Sequence, residues 1–261
     1  MFINDIVIIG SGNVATNIAF ALRNIGKNIL CIYSRSPEKA RKLAGNVSAP
    51  YTTQLDMLPA KADLYFIAVN DNAIVDVTAR LKGVSGIVAH TSGSVSMSVF
   101  ENVIADYGVF YPLMHLSSEK LMDFKSIPLC IEADSRKSFC ALQELACALS
   151  DKVFPVTSAE RKILHLAAVF SCNFTNLNYI ISEEILKKNG LPFDMLHPII
   201  TETANKIRNS LPSKLQTGPA VREDLEVIGA QYKLLDDFPQ YQKMYKLLTE
   251  IIIQKKKDNE L

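Results

Sequence analysis

Residues 7–40 read VIIGSGNVATNIAFALRNIGKNILCIYSRSPEKA. An apolar run runs straight into two glycines, an amphipathic stretch follows, and a second apolar run ends in Ser-Arg-Ser-Pro. A Gly-x-Gly-x-x-Ala turn between a strand and a helix is the setting in which this otherwise weak motif becomes informative. Gly10 allows the tight strand-to-helix turn, and Gly12, having no Cβ, lets a pyrophosphate approach the main chain. Ala15 supplies the third small position, where helix and strand pack closely. Backbone N–H groups from Ser11 through Asn13 and Val14 then meet the negative charge at the helix start. The alternative is an ordinary glycine-rich turn of an α/β protein.

The second apolar run decides which dinucleotide. Folds selective for NAD usually place Asp or Glu at the end of the second strand, where it holds the ribose 2′-hydroxyl. Here that position reads Tyr33-Ser34-Arg35-Ser36, without a carboxylate. Arg35 offers a planar fork of donors suited to a phosphate, and Ser34 and Ser36 add hydroxyls. Ser36 also suits the cap of a helix beginning at Pro37. In register with the glycine turn, this set predicts NADP(H); taken alone, a surface arginine after a strand would be unremarkable.

Outward from this unit, strands are predicted over residues 5–9, 28–33, 62–69, 86–90, 108–111, 127–132 and 152–155, with helices over 14–24, 37–44, 72–81 and 135–150. Several strands are apolar throughout, as in sheets covered on both faces. The alternation predicts a Rossmann-type, doubly wound parallel sheet over residues 1–155. After Pro155 the pattern turns helical. Thr157 and Glu160 form a capping-box pair, Gly190 offers a stop, and helices are predicted over 194–211, 220–235 and 239–257. Residues 156–261 are therefore read as an all-helical domain for substrate binding and dimerisation.

Composition narrows the class. The 261 residues are 48% hydrophobic and 21% charged with a net charge of +1, which fits a globular chain and gives no footprint for nucleic acid. The only basic block, Lys255 to Lys257, reads as a solvated, frayed tail. Five cysteines form no CxxC pair, and four sit in apolar stretches as small core residues; with no leader peptide and no run long enough to span a bilayer, a cytoplasmic protein is expected. No metal-ligating cluster stands out.

Two more loops fall at strand ends. Val69-Asn70-Asp71-Asn72 is placed over the cofactor's ribose and pyrophosphate, and His90-Thr91-Ser92-Gly93 brings Thr91 and Ser92 beside the nicotinamide. Both stretches also suit helix N-caps. Hydride transfer needs a proton donor or acceptor near the reacting group. On the long helix His165, Val169, Cys172, Asn173 and Asn176 fall on one broad face at α-helical spacing, a polar patch within an apolar stretch. Interhelical hydrogen bonds in a helical core would give the same pattern. His165 and Asn173 are the candidate catalytic groups with Ser92, and His115, Asn176 and Arg222 the candidate substrate contacts. Arg222 lies near a predicted helix start, where an anion would suit it better than the helix dipole does; a surface pair with Asp224 or Glu226 is the alternative.

The stretches GSGNVA, YSRSPEKA, HTSGSVSMSVF, LHLAAVFSCNFTN and TGPAVREDLEVI together carry a resemblance. The N-terminal half resembles the NADP-binding domain of deazaflavin-dependent NADP oxidoreductases and pyrroline-5-carboxylate reductases, of the 6-phosphogluconate dehydrogenase-like superfamily. Over nearly its whole length the chain is similar to a bacterial family in which a Rossmann-like domain precedes a helical domain of unknown function. The resemblance implies an oxidoreductase-like fold, NADP binding and a homodimer in which the helical domains help complete the clefts, and it supplies no substrate. Arg222 leads instead to the expectation of hydride transfer with a small, anionic metabolite. One departure matters. Related β-hydroxyacid dehydrogenases carry Lys-x-x-x-Asn on this helix, and aligning Asn173 with that asparagine puts Val169 at the lysine. The acid–base role then shifts to His165. A non-catalytic NADP(H)-binding sensor or dimerising module is the rival reading.

Overall fold

In a computed structural model of the protein, which describes residues 2–258, eight strands form one sheet in the order β3-β2-β1-β4-β5-β6-β7-β8. β1 (Asp5–Ile9) lies at its centre, between β2 (Asn28–Tyr33) and β4 (Lys61–Ile67), parallel to both. β3 (Tyr51–Thr52) is a short edge strand that the sequence did not reveal. β5 (Ser85–His90) and β6 (Asp106–Pro112) continue the parallel run.

β7 (Leu129–Ala133) departs from the expected all-parallel pattern and pairs antiparallel with β6, with Gly108 opposite Ala133; β8 (Val153–Pro155) runs parallel to β7. The link from β6 to β7 explains the reversal. It carries only a single 3₁₀ turn, Phe124–Ser126, whereas a parallel neighbour needs a crossover, usually an α-helix.

Alternation along β1 sorts the core into two layers. Ile6 and Ile8 face one side with α1 (Asn13–Asn24), α2 (Pro37–Val47) and α4 (Arg136–Leu149); Val7 and Ile9 face the other with α3 (Ile74–Arg80). These four of the five β1 side chains are fully buried, which is why residues 6–9 read as unbroken aliphatic sequence. Only Cys31 and Cys130 of the five thiols are buried; Cys140, Cys147 and Cys172 are exposed, against expectation. Cys140 and Cys147 lie off the covered face of α4, which Ala141, Leu142, Leu145 and Leu149 form, and Cys172 stands among the exposed Phe170 and Phe174.

The chain forms two compact units that divide between Asn173 and Phe174. The first therefore includes α5 (Ser158–Ala168), opened by the capping box of Thr157 and Glu160. A π-helical segment, Val169–Phe174, follows. It breaks the α-helical spacing by which His165, Asn173 and Asn176 were placed on one face, since the turn is wider there. The second unit consists of α6 (Thr175–Lys188), α7 (His197–Lys206), α8 (Pro219–Arg222), α9 (Leu225–Lys233) and α10 (Pro239–Lys257). The helix expected over 220–235 is split at Glu223, which is left-handed at φ 55°, and Asp224 then caps α9 by accepting from Val227 N–H at 3.2 Å. Lys255 to Lys257 form the last turn of α10 rather than a frayed tail, where cations suit the helix dipole. Lys256 also pairs with Glu223 at 3.1 Å.

Leu22, fully buried on α1, tests the first layer. Leu22→Ala is expected to lower stability in urea unfolding by about 2–5 kcal/mol; a loss below about 1 kcal/mol would contradict the packing described.

Candidate functional site

The order of the strands reverses direction beside β1, the place where ligands settle in open α/β sheets. Gly10 fixes the geometry there. Its N–H donates to the Tyr33 carbonyl at 2.8 Å, its φ is 133°, and a Cβ would lie 2.1 Å from the Ala68 carbonyl oxygen. Only glycine lets β1, β2 and β4 end so close together. Two residues on, a Cβ at Gly12 would meet nothing within 4 Å, and no side chain caps α1. The start of α1 thus has open space at Gly12 and no side chain capping it.

A cleft of about 710 Å³ opens from this turn. Gly10, Ser11, Gly12, Ser34, Arg35, Ser36, Val69 and Asn70 all line it; Asn13, Val14 and Thr91 do not. The Ser11 hydroxyl donates to Ser34 Oγ at 2.7 Å, tying the glycine turn to the end of β2. Ser36 caps α2 by accepting from Lys39 N–H at 3.4 Å. Arg35 is exposed and has no ion-pair partner among the described residues, and Lys39 lines the same end of the cleft. An anion bearing a terminal phosphate fits this donor set. Gln54, Leu55, Asp56, Asp76, Val77 and Arg80 also line the cleft, which was not evident in the sequence. Asp56 is engaged by Arg80 at 3.5 Å, which offsets its charge.

A second, denser set of contacts lies beyond β5. Ser92 Oγ accepts from Ser94 N–H and Val95 N–H, each at 3.1 Å, so this hydroxyl shapes the loop. Ser92 N–H donates to His90 Nδ1 at 3.2 Å, and the Ser94 hydroxyl donates to Asp71. His90 is fully buried, stacked on Phe100, and its Nε2 lacks a partner of ordinary geometry. Burial first, then the charge of Arg161, push its pKa down to about 3, against smaller opposing effects of the Ser96 backbone and Asp71. This histidine is neutral at any physiological pH.

Arg161 on α5 is 1% exposed and holds the loop in place. Its guanidinium donates to the carbonyls of Ser92 (2.9 Å) and Val95 (2.6 Å), to Ser158 Oγ (2.9 Å) and to Glu132 on β7 (3.0 Å). Glu132 in turn accepts from Ser158 N–H at 2.8 Å and from its hydroxyl at 2.7 Å. One helical turn later His165 meets Tyr111, the ring Nδ1 and the phenol oxygen being 3.3 Å apart. Sequence reasoning found His165 but missed Arg161, Glu132 and Tyr111. The available signal was the i, i+4 spacing of Arg161 and His165, which puts both on one face.

The remaining candidates are separate. His115 is exposed in the loop after β6. That loop is pinned to α1: the buried Asn17 donates to the Ser117 carbonyl at 2.7 Å and accepts from Met122 N–H at 3.1 Å, and Asn13 accepts from Ser118 N–H at 3.0 Å. Asn173 is exposed at the end of the first unit. Asn176 and Arg222 are exposed in the second unit, and Arg222 has no ion-pair partner among the described residues. No group of three or more potential metal ligands occurs among the described residues. No helix among them is long and apolar enough to cross a membrane.

Fold and cleft together define a Rossmann-type dinucleotide-binding domain followed by a helical domain. Comparison with known proteins agrees. Residues 5–89 match the family model described as NADP oxidoreductase coenzyme F420-dependent, and residues 127–252 match a domain of unknown function, DUF2520. The chain is 43% identical to a provisionally assigned NADP oxidoreductase from Bacteroides fragilis, covering 97% of this chain and 98% of that one with a TM-score of 0.91; it belongs to the same family. Two more distant structures share the fold. An imine reductase from Myxococcus stipitatus in complex with NADP+ is 14% identical (98% and 95% covered, TM-score 0.71). A 1-pyrroline-5-carboxylate reductase from Streptococcus pyogenes is 15% identical (97% and 98% covered, TM-score 0.64). No protein of curated function matches the chain.

The neutral His90 has a measurable consequence. Its pKa is depressed from about 6.5 in the unfolded chain, so its contribution to stability is complete above that pH and is lost as pH falls toward 3. The slope is at most about 1.4 kcal/mol per pH unit. In urea unfolding at pH 7 and pH 5, His90→Gln is expected to lose about 2 kcal/mol less than wild type over that interval. Equal losses would mean that His90 already shares a proton with its surroundings.

Proposed function

We propose that the protein is an NADP(H)-dependent oxidoreductase acting on a small anionic metabolite. One observation carries the cofactor assignment. The uncapped start of α1 and the unpaired Arg35 line one cleft, the first suited to a pyrophosphate and the second to a 2′-phosphate. Family membership supports it, as does the NADP oxidoreductase description of the model matched over residues 5–89. That match stays within the first unit, so it supports the NADP half and no deazaflavin site.

Within this reading Asn13 and Val14 contribute first-turn N–H groups to the pyrophosphate, Ser34 and Ser36 flank the 2′-phosphate with Arg35, and Lys39 adds a second cation. Val69, Asn70 and Thr91 lie along the ribose and nicotinamide. Bound NADPH supplies a hydride. The protein's part is to hold the substrate and manage the proton, with His165 as acid–base group, Asn173 polarising the reacting group and Ser92 ordering the loop beside it. Arg222, His115 and Asn176 are the substrate contacts, and the unpaired Arg222 motivates an anion. The free cysteines are in keeping with a reducing, cytoplasmic setting.

The helical unit is proposed to form a homodimer. Among its described residues only Ala220 and Leu235 are buried, while Leu234 is 80% exposed, Leu225 73% and Met195 64%. So much exposed apolar surface is the signature of an interface. Sedimentation should give a dimer, and Leu234→Glu combined with Leu225→Glu should shift the mass toward the monomer. A wild-type monomer at all concentrations would remove this part of the reading.

The cofactor is tested by fluorescence titration with NADPH and NADH. Wild type is expected to prefer NADPH, and Arg35→Ala to weaken NADPH about 10- to 100-fold while leaving NADH unchanged, the scale of one charge-assisted phosphate contact. Failure of wild type to bind either cofactor would overturn the proposal. Tight binding with no turnover across a screen of small keto and imino acids would favour a cofactor-binding sensor instead.

A further inference from the structure

Reducing a C=O or C=N carbon requires one proton at the heteroatom for each hydride accepted at carbon. The assignment of that proton to His165 leaves open which ring nitrogen delivers it, and the two nitrogens are not equivalent. Nδ1 lies 3.3 Å from the Tyr111 hydroxyl, with the two rings edge to face. Gly93 packs directly against this pair. A Cβ there would come within 2.6 Å of His165 Nδ1, 2.8 Å of Tyr111 Cζ and 2.9 Å of its hydroxyl. The loop that Arg161 grips and the pair that Gly93 touches are thus one assembly, and no larger side chain at 93 leaves it intact.

We propose that Tyr111 is the positioning residue for His165: its hydroxyl occupies Nδ1, so that Nε2 is the nitrogen that exchanges a proton with the substrate's carbonyl or imine group. This rests on the reductase reading above. Tyr111 remains a phenol throughout, because burial and the neighbouring Cys130 raise its pKa more than Arg161 lowers it. A phenol can donate to Nδ1 of the neutral ring and accept from N–H of the imidazolium. In the reductive direction the Nε2–H bond of the imidazolium breaks and a bond from that proton to the substrate oxygen or nitrogen forms. The hydride that bound NADPH would supply goes to the substrate carbon, and the ring is left neutral as its Nδ1–H tautomer, donating to Tyr111. Solvent then returns a proton to Nε2; when the imidazolium afterwards loses its Nδ1 proton to solvent, the phenol turns to donate to Nδ1, which gives the Nε2–H tautomer at rest.

The chain has four histidines, so their ring nitrogens can be resolved by ¹⁵N NMR without any substrate. In wild type at high pH, His165 should show Nδ1 as a hydrogen-bonded acceptor and Nε2 carrying the proton. Tyr111→Phe should move the Nδ1 resonance to that of a free acceptor, and Gly93→Ala, which displaces the pair by another route, should do the same. Tyr107→Phe, removing a hydroxyl from the same strand, should leave it unchanged. An identical His165 spectrum in wild type and Tyr111→Phe would overturn the proposal. NADPH titration of the same samples keeps the two readings apart: loss of binding in wild type removes the cofactor reading and leaves the nitrogen assignment standing. With a substrate in hand, Tyr111→Phe should lower kcat about 10- to 100-fold with NADPH affinity within about two-fold; unchanged kcat would also overturn it.

Discussion

The buried guanidinium of Arg161 joins three parts of the first unit that are far apart in the chain: the loop after β5, strand β7 and the start of α5. A charge in that position is costly unless every neighbour answers it. Here Glu132 supplies the counter-charge and three oxygens from the loop and from Ser158 take up remaining donors, leaving Nε without a partner. Such a network contributes less to net stability than to uniqueness. Exchanging either charged member alone would strand the other, so the loop, the strand and the helix keep one relative arrangement. The Tyr111–His165 contact inherits its geometry from that arrangement, because His165 is one turn along the same helix.

The first unit divides its chemistry between main chain and side chains. The cleft is lined by the glycine turn, where no other residue can replace Gly10, and by one unpaired arginine. The loop after β5 is built around a neutral buried imidazole, a phenol and a guanidinium held by hydrogen bonds. The first arrangement suits a ligand with fixed phosphates and a common shape. The second suits a proton that must be moved without flooding the site with charge.

This contrast also explains what was legible in the sequence. β1 and β2 were read to the residue, because strands covered on both faces leave unbroken aliphatic runs and the glycine turn marks where the first one ends. The cleft residues from Gly10 to Ser36 were legible for the same reason: they are local. Gln54 to Asp56 and Arg80 were not, since only the topology of the sheet brings them to the cleft that Arg35 lines. Arg161 reads as an ordinary polar residue of an amphipathic helix, and its burial depends on Glu132 and on carbonyls some seventy residues upstream. The π-helical segment and the left-handed Glu223 left no mark in periodicity. Both are short irregularities, of six residues and of one, inside stretches whose composition is wholly helical, so the spacing argument for Asn173 and Asn176 and the single helix over 220–235 did not survive them. The reversal at β7 lay in a missing crossover helix, a feature read from what the link does not contain.

The grip of Asn13 and Asn17 on the loop after β6 is made entirely through that loop's backbone, at the Ser117 carbonyl and the amides of Ser118 and Met122. Main-chain atoms are the same whatever side chains surround them. Residues such as Met114 and His115 are therefore free to drift by mutation while the path of the loop, and its distance from the glycine turn, are inherited unchanged. A lineage built on this chain can change the side chains of that segment without rebuilding the helix start beneath it.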